Sequence, residues 1–277
     1  MMRRSLFMFL LLFWAATTPA QESPSQESPP IQDNSFLIEE AYNQEAGVVQ
    51  HVNTFMRQRG GDWLYTFTQE WPVGGLKHQF SFTLPAQRVG PSSDGGSGGV
   101  GDVALNYRYQ LIGQKKLAVA PRFTVLLATG DERSDRGAGG PGIQFNLPVS
   151  VVHSPKIVTH WNAGATLTPS ARNALGERAR TTGYNLGGSL IWLARPNFNV
   201  LLESVWNSSE SVVGSRRTQR ESEVLLNPGI RWAHNFRRGN LQIVPGVAVP
   251  LGVGPSKGER GLFFYLSFEH SFKKQVE

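Results

Sequence analysis

The strongest constraint in this sequence is a series of segments in which apolar and polar residues alternate. The segments begin at about Val48 and are each about 8–13 residues long. In the segment that ends at Leu111, large apolar residues alternate with Ala104, Asn106, Arg108 and Gln110. A period of two places successive side chains on opposite faces of a strand, so the pattern predicts strands with one apolar and one polar face.

Twelve such runs can be counted, near residues 48–57, 62–71, 77–84, 101–111, 117–128, 142–152, 157–168, 182–194, 197–207, 221–235, 241–250 and 260–272. An even count allows both termini to lie on one side of a membrane. Short links follow the second, fourth, sixth, eighth and tenth runs. Long Gly-rich or charged links follow the third, fifth, seventh and ninth, at residues 85–100, 129–141, 169–181 and 208–220. This predicts an all-β, closed antiparallel transmembrane β-barrel with short periplasmic turns and longer external loops.

The start of the chain predicts an export signal. Met1–Arg4 is positively charged, Leu6–Ala16 is entirely apolar, and Thr17–Ala20 supplies small residues for cleavage. No later window is apolar over about 18 residues, as a spanning helix would require. We therefore predict an outer-membrane protein with periplasmic termini after cleavage of the signal. Its parts are a signal peptide at 1–20, a flexible leader and plug segment at 21–47, a barrel at 48–272 and a tail at 273–277.

Several function classes are disfavoured by composition and spacing. The absence of cysteine excludes disulfides, thiolate metal sites and cysteine nucleophiles. Lys and Arg (27) exceed Asp and Glu (21) only slightly and are scattered, so we expect no nucleic-acid partner. The histidines lack metal-ligand spacing, and His270 and Ser271, as strand neighbours, would point to opposite faces. The run Gly96–Gly101 matches a dinucleotide motif but lacks the required helix after it. We expect no catalytic, cofactor or metal site, and hence no enzyme.

Three stretches resemble a known family. Phe36–Gln50 reads FLIEEAYNQEAGVVQ, Gly98–Leu111 joins a glycine loop to a strand, and Ala128–Val149 contains ATGD, a charged loop and GGPGIQFNLPV. Together they resemble the outer-membrane barrels grouped as the phenol-degradation meta-pathway family, which are transporter-like. The resemblance runs from about Phe36 to Phe272 and implies this type of barrel.

Charged residues at inward positions of the predicted strands are the candidates for lining the lumen. Charges facing lipid would be prohibitive, so these side chains must face water or each other. They could form a constriction that selects polar or anionic solutes, with Arg108, Arg122 and Arg231 favouring anions, or they could be ion pairs that brace the lumen. Twelve strands predict a narrow pore, between filled eight-stranded barrels and open porins. The candidates are Arg108, Arg122, Glu203, Glu223, Arg231 and Glu269.

The segment before the first strand combines apolar and acidic residues. Phe36, Glu39, Glu40 and Tyr42 could form a plug at the periplasmic mouth, or the segment could lie under the barrel base. Aromatic residues favour the membrane–water interface, and a set of them is expected near the periplasmic rim. That set is Tyr107, Tyr109, Trp161, Trp192, Phe198, Trp232 and Phe272.

The sequence therefore predicts a narrow channel or transporter for small solutes, including aromatic or hydrophobic ones. A structural barrel without an open pore and a lipid-modifying barrel enzyme are the alternatives. Expected partners are outer-membrane lipid, lipopolysaccharide, the barrel-assembly machinery and a small-molecule solute of unknown identity. Asp131, Glu132 and Asp135 could hold a divalent ion, but the interleaved Arg133 and Arg136 favour a solvated loop that faces lipopolysaccharide.

Overall fold

The computed structural model of the chain describes residues 34–89, 98–236 and 241–271. The predicted signal peptide, Phe272, the 273–277 tail and the first residues of the glycine motif lie outside these ranges. Within them, no helix is long and apolar enough to cross a bilayer.

The described chain is almost entirely β-structure. Two short 3-10 helices, Glu132–Ser134 and Gly254–Ser256, interrupt it. The strands are β1 (Val48–Gln58), β2 (Trp63–Pro72), β3 (His78–Arg88), β4 (Gly99–Val100), β5 (Val103–Tyr109), β6 (Ile112–Gly113), β7 (Leu117–Val119), β8 (Arg122–Leu127), β9 (Gly142–Ser154), β10 (Ile157–Arg172), β11 (Arg178–Arg195), β12 (Phe198–Gly214), β13 (Arg217–Trp232), β14 (His234–Asn235), β15 (Gln242–Ala248), β16 (Leu251–Gly252) and β17 (Gly261–Ser271).

The strands form one antiparallel sheet that closes on itself. The first strand pairs with the last, from Val48 opposite Ser271 to Gln58 opposite Gly261. The ring has 12 strands, and five short segments of two or three residues extend or flank it. Closure pairs the backbone groups that lipid would leave without partners. The predicted closed antiparallel barrel is thereby confirmed.

The two faces of the wall differ as the alternation requires. Trp161 on β10 is 54% exposed, whereas its neighbours His160 and Asn162 are buried. Several exposed aromatic residues lie near the end of the barrel where Val48 and Ser271 meet. We call this the terminal end and the opposite end the loop end. The set comprises Tyr107, Trp161, Trp192 and Trp232, with Phe198 paired directly to Trp232.

Two of the predicted external loops are wrong. Residues 169–181 and 208–220 are mostly strand, because β10 and β11 continue to a turn at 173–177 and β12 and β13 continue to a turn at 215–216. The second turn uses a left-handed residue, Arg216, with φ of 58°. These strand ends carry mostly polar side chains on both faces. Away from lipid, neither face of a strand has to be apolar, so alternation is no longer a signal there.

A charge placed on the outer face tests whether that face meets lipid. Phe145 on β9 is 49% exposed and points outward. We expect Phe145→Arg to lower the free energy of unfolding in lipid vesicles by about 2–4 kcal/mol. Leu175→Arg, at a hairpin tip where Leu175 is 84% exposed, is the matched control and should change it little. Equal effects of the two substitutions would contradict a lipid-facing β9.

Candidate functional site

Residues 34–46, which we call the inner segment, run through the lumen from wall to wall. The Ser35 hydroxyl lies 2.5 Å from the Ser189 hydroxyl on β11. Further along, the amide of Ala41 donates to Oγ of Ser150 on β9 (2.8 Å). The amide of Gln44 then donates to Oε1 of Gln79 on β3 (2.7 Å), shortly before β1 begins. The segment thus crosses the terminal half of the barrel.

Glu203 holds one end of this crossing. Its Oε1 accepts the backbone N–H groups of Phe36 (3.0 Å), Leu37 (2.7 Å) and Ile38 (3.1 Å). Its Oε2 accepts a hydrogen bond from Nδ2 of Asn227 (2.7 Å). Successive amides that converge on one carboxylate oxygen form an anion-binding nest. The sequence predicted that Glu203 lines the lumen, but here the carboxylate is buried and anchors the inner segment.

Glu39 holds the middle of the crossing through two arginines. Arg108 on β5 and Arg122 on β8 are directly opposite in the sheet register. Like charges at such positions repel. Nη1 of Arg108 lies 3.2 Å from Glu39 Oε1, and Nε of Arg122 lies 2.8 Å from Glu39 Oε2. Nδ2 of Asn146 also donates to Oε2 (3.0 Å). The carboxylate of the inner segment therefore bridges the arginine pair of the wall.

Arg108 also binds the backbone of the inner segment. Arg108 donates from Nη1 to the carbonyl of Glu40 (3.0 Å) and from Nη2 to the carbonyl of Tyr42. Its Nε donates to Oδ1 of Asn43 (2.8 Å). Among the plug candidates, Glu40 accepts a hydrogen bond from Asn34 (2.7 Å). The ring of Tyr42 packs beside a small cluster of buried alanines, Ala41, Ala118 and Ala120.

The remaining charged candidates lie apart from the Glu39 cluster. Arg231 is buried, with its guanidinium carbon 5.8 Å from the centre of the Tyr265 ring. Glu269 accepts a hydrogen bond from Gln50 (3.2 Å), near the start of the inner segment. Glu223 lies on the other side of the inner segment, toward the loop end. The structure thus brings together Arg108 and Arg122 around Glu39, and it places Arg231 and Glu269 beside a second, smaller cavity.

Neutral amides that the sequence analysis did not single out complete the site. Asn162 on β10 accepts the amide of Glu39 (2.7 Å) and donates to the carbonyl of the same residue (2.8 Å). Gln110 pairs in the same two-way manner, with the amide of Asn43 and the carbonyl of Ala41. The signal that marks them is an amide at an inward position of a strand, as for Asn162, or directly after one, as for Gln110. That signal is weak, because any polar side chain suits a wet lumen.

Phe36 occupies an apolar pocket that two glycines leave open. Its ring centre lies 5.3 Å from those of Phe263 and Tyr265. A Cβ atom on Gly246 would lie 2.6 Å from the Phe36 ring, and one on Gly229 would lie 2.7 Å from it. Glycine inside a strand often marks such a close approach. The pocket seats the inner segment by burial of its aromatic ring.

A cavity of about 860 Å³ lies between the inner segment and the loop end. Leu37, Ile38 and Glu39 form its floor. Its wall carries apolar side chains, including Met56, Leu64 and Leu225. It also carries amides, hydroxyls and charged groups, including Gln144, Thr166, Asn185, Asn207 and Glu223. A volume and lining of this kind suit a small solute with one apolar face and a few hydrogen-bonding groups.

Charged contacts brace the loop between β8 and β9 at the cavity mouth. Asp131 accepts a hydrogen bond from the Ser134 hydroxyl (2.7 Å) and lies 3.0 Å from Nη2 of Arg136. The hydroxyl and the nearby cations hold the pKa of the Asp131 carboxyl below its usual value. Glu132 lies 3.9 Å from Arg172. These contacts use two of the three acids that the sequence offered as a divalent-ion site. No group of three or more metal-binding side chains occurs in the described part of the chain.

Filling the glycine pocket should loosen the inner segment. We expect Gly246→Ala to lower the free energy of unfolding by about 1–3 kcal/mol, because the new methyl group overlaps the Phe36 ring. Gly60→Ala is the control, since a Cβ there meets nothing within 4 Å. Chemical unfolding in lipid measures both. An equal response of the two variants would show that Phe36 does not fill this pocket.

Removing the carboxylate of Glu203 should release the same end of the segment. Glu203→Ala leaves three backbone N–H groups without their acceptor, and we expect it to cost about 2–3 kcal/mol and to speed protease cleavage near Phe36. Glu203→Gln keeps an acceptor oxygen and should cost less than about 1 kcal/mol. If the Ala and Gln variants are cleaved at the wild-type rate, the anchoring role is wrong.

Comparisons with known proteins agree with this architecture. No family model and no curated protein matches the chain. Among solved structures, an outer-membrane channel from Pseudomonas putida F1 is 14% identical, with a TM-score of 0.56 over 84% of this chain and 98% of that one. The NanC porin (9% identity, TM-score 0.53) and the KdgM porin (9%, 0.50) each match over 81% of this chain, and over 100% and 99% of their own. At these identities the likeness concerns the fold alone, which is a closed β-barrel.

Proposed function

We propose that this protein is a narrow outer-membrane channel for small solutes, closed in its terminal half by the inner segment. The observation that carries the proposal is the stacking of a roughly 860 Å³ cavity directly on a segment that crosses the lumen. The similar solved structures are named as a channel and as porins, which supports a transport role. Their fold also suits membership in the phenol-degradation meta-pathway family, which the sequence motifs suggest.

The cavity suggests the class of solute. Met56, Leu64 and Leu225 offer apolar contacts, and Asn185 and Asn207 offer amides. We propose solutes with an apolar face and a few polar groups, such as small aromatic or aliphatic compounds that carry hydroxyl or carbonyl groups.

The inner segment would act as the gate. It is held in place by hydrogen bonds and ion pairs rather than by covalent links, and its C-terminal end continues into β1. Displacement would join the cavity to the terminal mouth. It would also remove Glu39 from Arg108 and Arg122, which leaves two cations facing water. The open state should therefore prefer anions.

A second candidate is a barrel that never opens. The observation that favours it is the number of buried contacts that hold the inner segment, since Glu203 alone accepts three of its amides. A lipid-modifying activity is not part of our proposal. The similar structures are named as channels or porins.

A disulfide that locks the inner segment distinguishes the channel from the closed barrel. The chain contains no cysteine, so introduced pairs react without interference. Ser35→Cys with Ser189→Cys replaces hydroxyls that lie 2.5 Å apart and would tie the segment to β11. In liposomes, we expect low solute flux when the pair is oxidised and recovery of flux and anion preference when it is reduced.

A wall-to-wall pair is the matched control. Thr54→Cys with Thr66→Cys also replaces neighbouring lumen hydroxyls, 2.6 Å apart, but does not touch the inner segment. Its oxidation should leave the flux unchanged. If the Ser35/Ser189 variant conducts equally in both redox states, the segment is not the gate. If neither variant nor a chain lacking residues 34–45 conducts above empty liposomes, the closed-barrel alternative holds.

A further inference from the structure

A second pair of opposed arginines lies on the outer face of the barrel. Arg172 on β10 and Arg178 on β11 are directly opposite in the register. Along β11, Arg178 and Arg180 are exposed, whereas Ala179 and Thr181 between and beyond them are buried. The alternation places both arginines on the outside of the wall, facing away from the channel mouth.

These arginines belong to a larger basic patch on the outer face, which also includes Arg220 and begins beside the exposed Tyr184. Nη2 of Arg220 on β13 donates to Oγ1 of Thr182 (2.7 Å). Its guanidinium carbon lies 5.2 Å over the centre of the Tyr184 ring. Tyr184 is exposed on the same face and is followed by the exposed Leu186. From Tyr184 to Arg180 the strand advances about 13 Å. We call Arg172, Arg178, Arg180 and Arg220 the outer arginine patch.

The acids near the patch leave part of its charge uncompensated. Glu210 lies 3.2 Å from Arg220 and also accepts hydrogen bonds from Thr182. Glu132 is at the longer distance of 3.9 Å from Arg172. In the described ranges, no carboxylate forms an ion pair with Arg178 or Arg180.

The lumen contains a second example of two arginines directly opposite each other on neighbouring strands. There, the opposed pair Arg108 and Arg122 is bridged by the carboxylate of Glu39. Opposed like charges destabilise a strand pair unless an anion lies between them. On the outer face the chain supplies no such bridge to Arg178. The geometry therefore calls for an anion from outside the chain.

We propose that the outer arginine patch binds the phosphate groups of an outer-leaflet lipid, such as the phosphorylated lipid A part of lipopolysaccharide. The patch lies beyond the last outward aromatic residue, at the level of lipid headgroups when the termini are periplasmic. The planar guanidinium group matches a phosphate through paired hydrogen bonds. The site is independent of the solute path, because its residues face away from the lumen.

Binding of lipid A to the purified barrel in detergent tests the proposal. Titration calorimetry would compare lipid A carrying both phosphates with lipid A from which the phosphates have been removed. We expect the wild-type protein to prefer the phosphorylated form. Arg178→Gln with Arg180→Gln should weaken that binding roughly 10-fold and reduce its salt dependence. Gln keeps most of the side-chain volume, and a heat-dependent shift in electrophoretic migration checks that the variant is folded.

An equal loss of charge elsewhere is the control. Arg57 on β1 and Arg195 at the end of β11 are also exposed but lie away from the patch, so Arg57→Gln with Arg195→Gln should bind within about twofold of wild type. Equal binding by the wild type and by the Arg178/Arg180 variant would overturn the site. Equal wild-type affinity for phosphorylated and dephosphorylated lipid A would overturn phosphate recognition. Binding of inorganic phosphate without binding of lipid A would overturn the lipid source.

Discussion

The need to pair every backbone polar group governs both the wall and its contents. In lipid, a strand edge has no water to bind, so the sheet must close, and here the pairing of β1 with β17 closes it. The backbone groups of the inner segment also need partners, but the segment forms no strand with the wall that could supply them. Its N–H groups are instead satisfied by side chains that the wall points inward, chiefly Glu203, Asn162 and Ser150. A polar lumen is therefore what allows a non-helical, non-strand backbone to lie at membrane depth.

Charge is handled in the same local way. Two arginines that the register sets opposite each other would repel, and Glu39 of the inner segment lies between them. The two ion pairs of Glu39 form only while the segment lies in the lumen, because removing the segment exposes both arginines. A buried ion pair of this kind gives little net stability but is costly to break from one side. In this structure the arrangement holds the segment in one defined position.

Much of the wall was predictable because the side-chain period of a strand is two. Alternation placed Arg108, Arg122 and Glu203 on the inner face, and it located the strands to within a few residues where lipid requires one apolar side. Beyond the membrane that requirement ends, which is why the strand extensions at 169–181 and 208–220 were expected as loops. The partners of the inward charges were not predictable. They depend on which strands face each other across the lumen and on the path of residues 34–46.

The position of the inner segment is the claim on which the channel account rests. Solid-state NMR of the protein in lipid can measure the distance between the carboxyl carbon of Glu203 and the amide nitrogen of Leu37. Because the amide lies 2.7 Å from the carboxylate oxygen, we expect a measurable dipolar coupling that corresponds to a separation under about 4 Å. No detectable coupling, with Leu37 exchanging its amide proton as fast as an exposed residue, would show that the segment lies outside the lumen and would contradict the account.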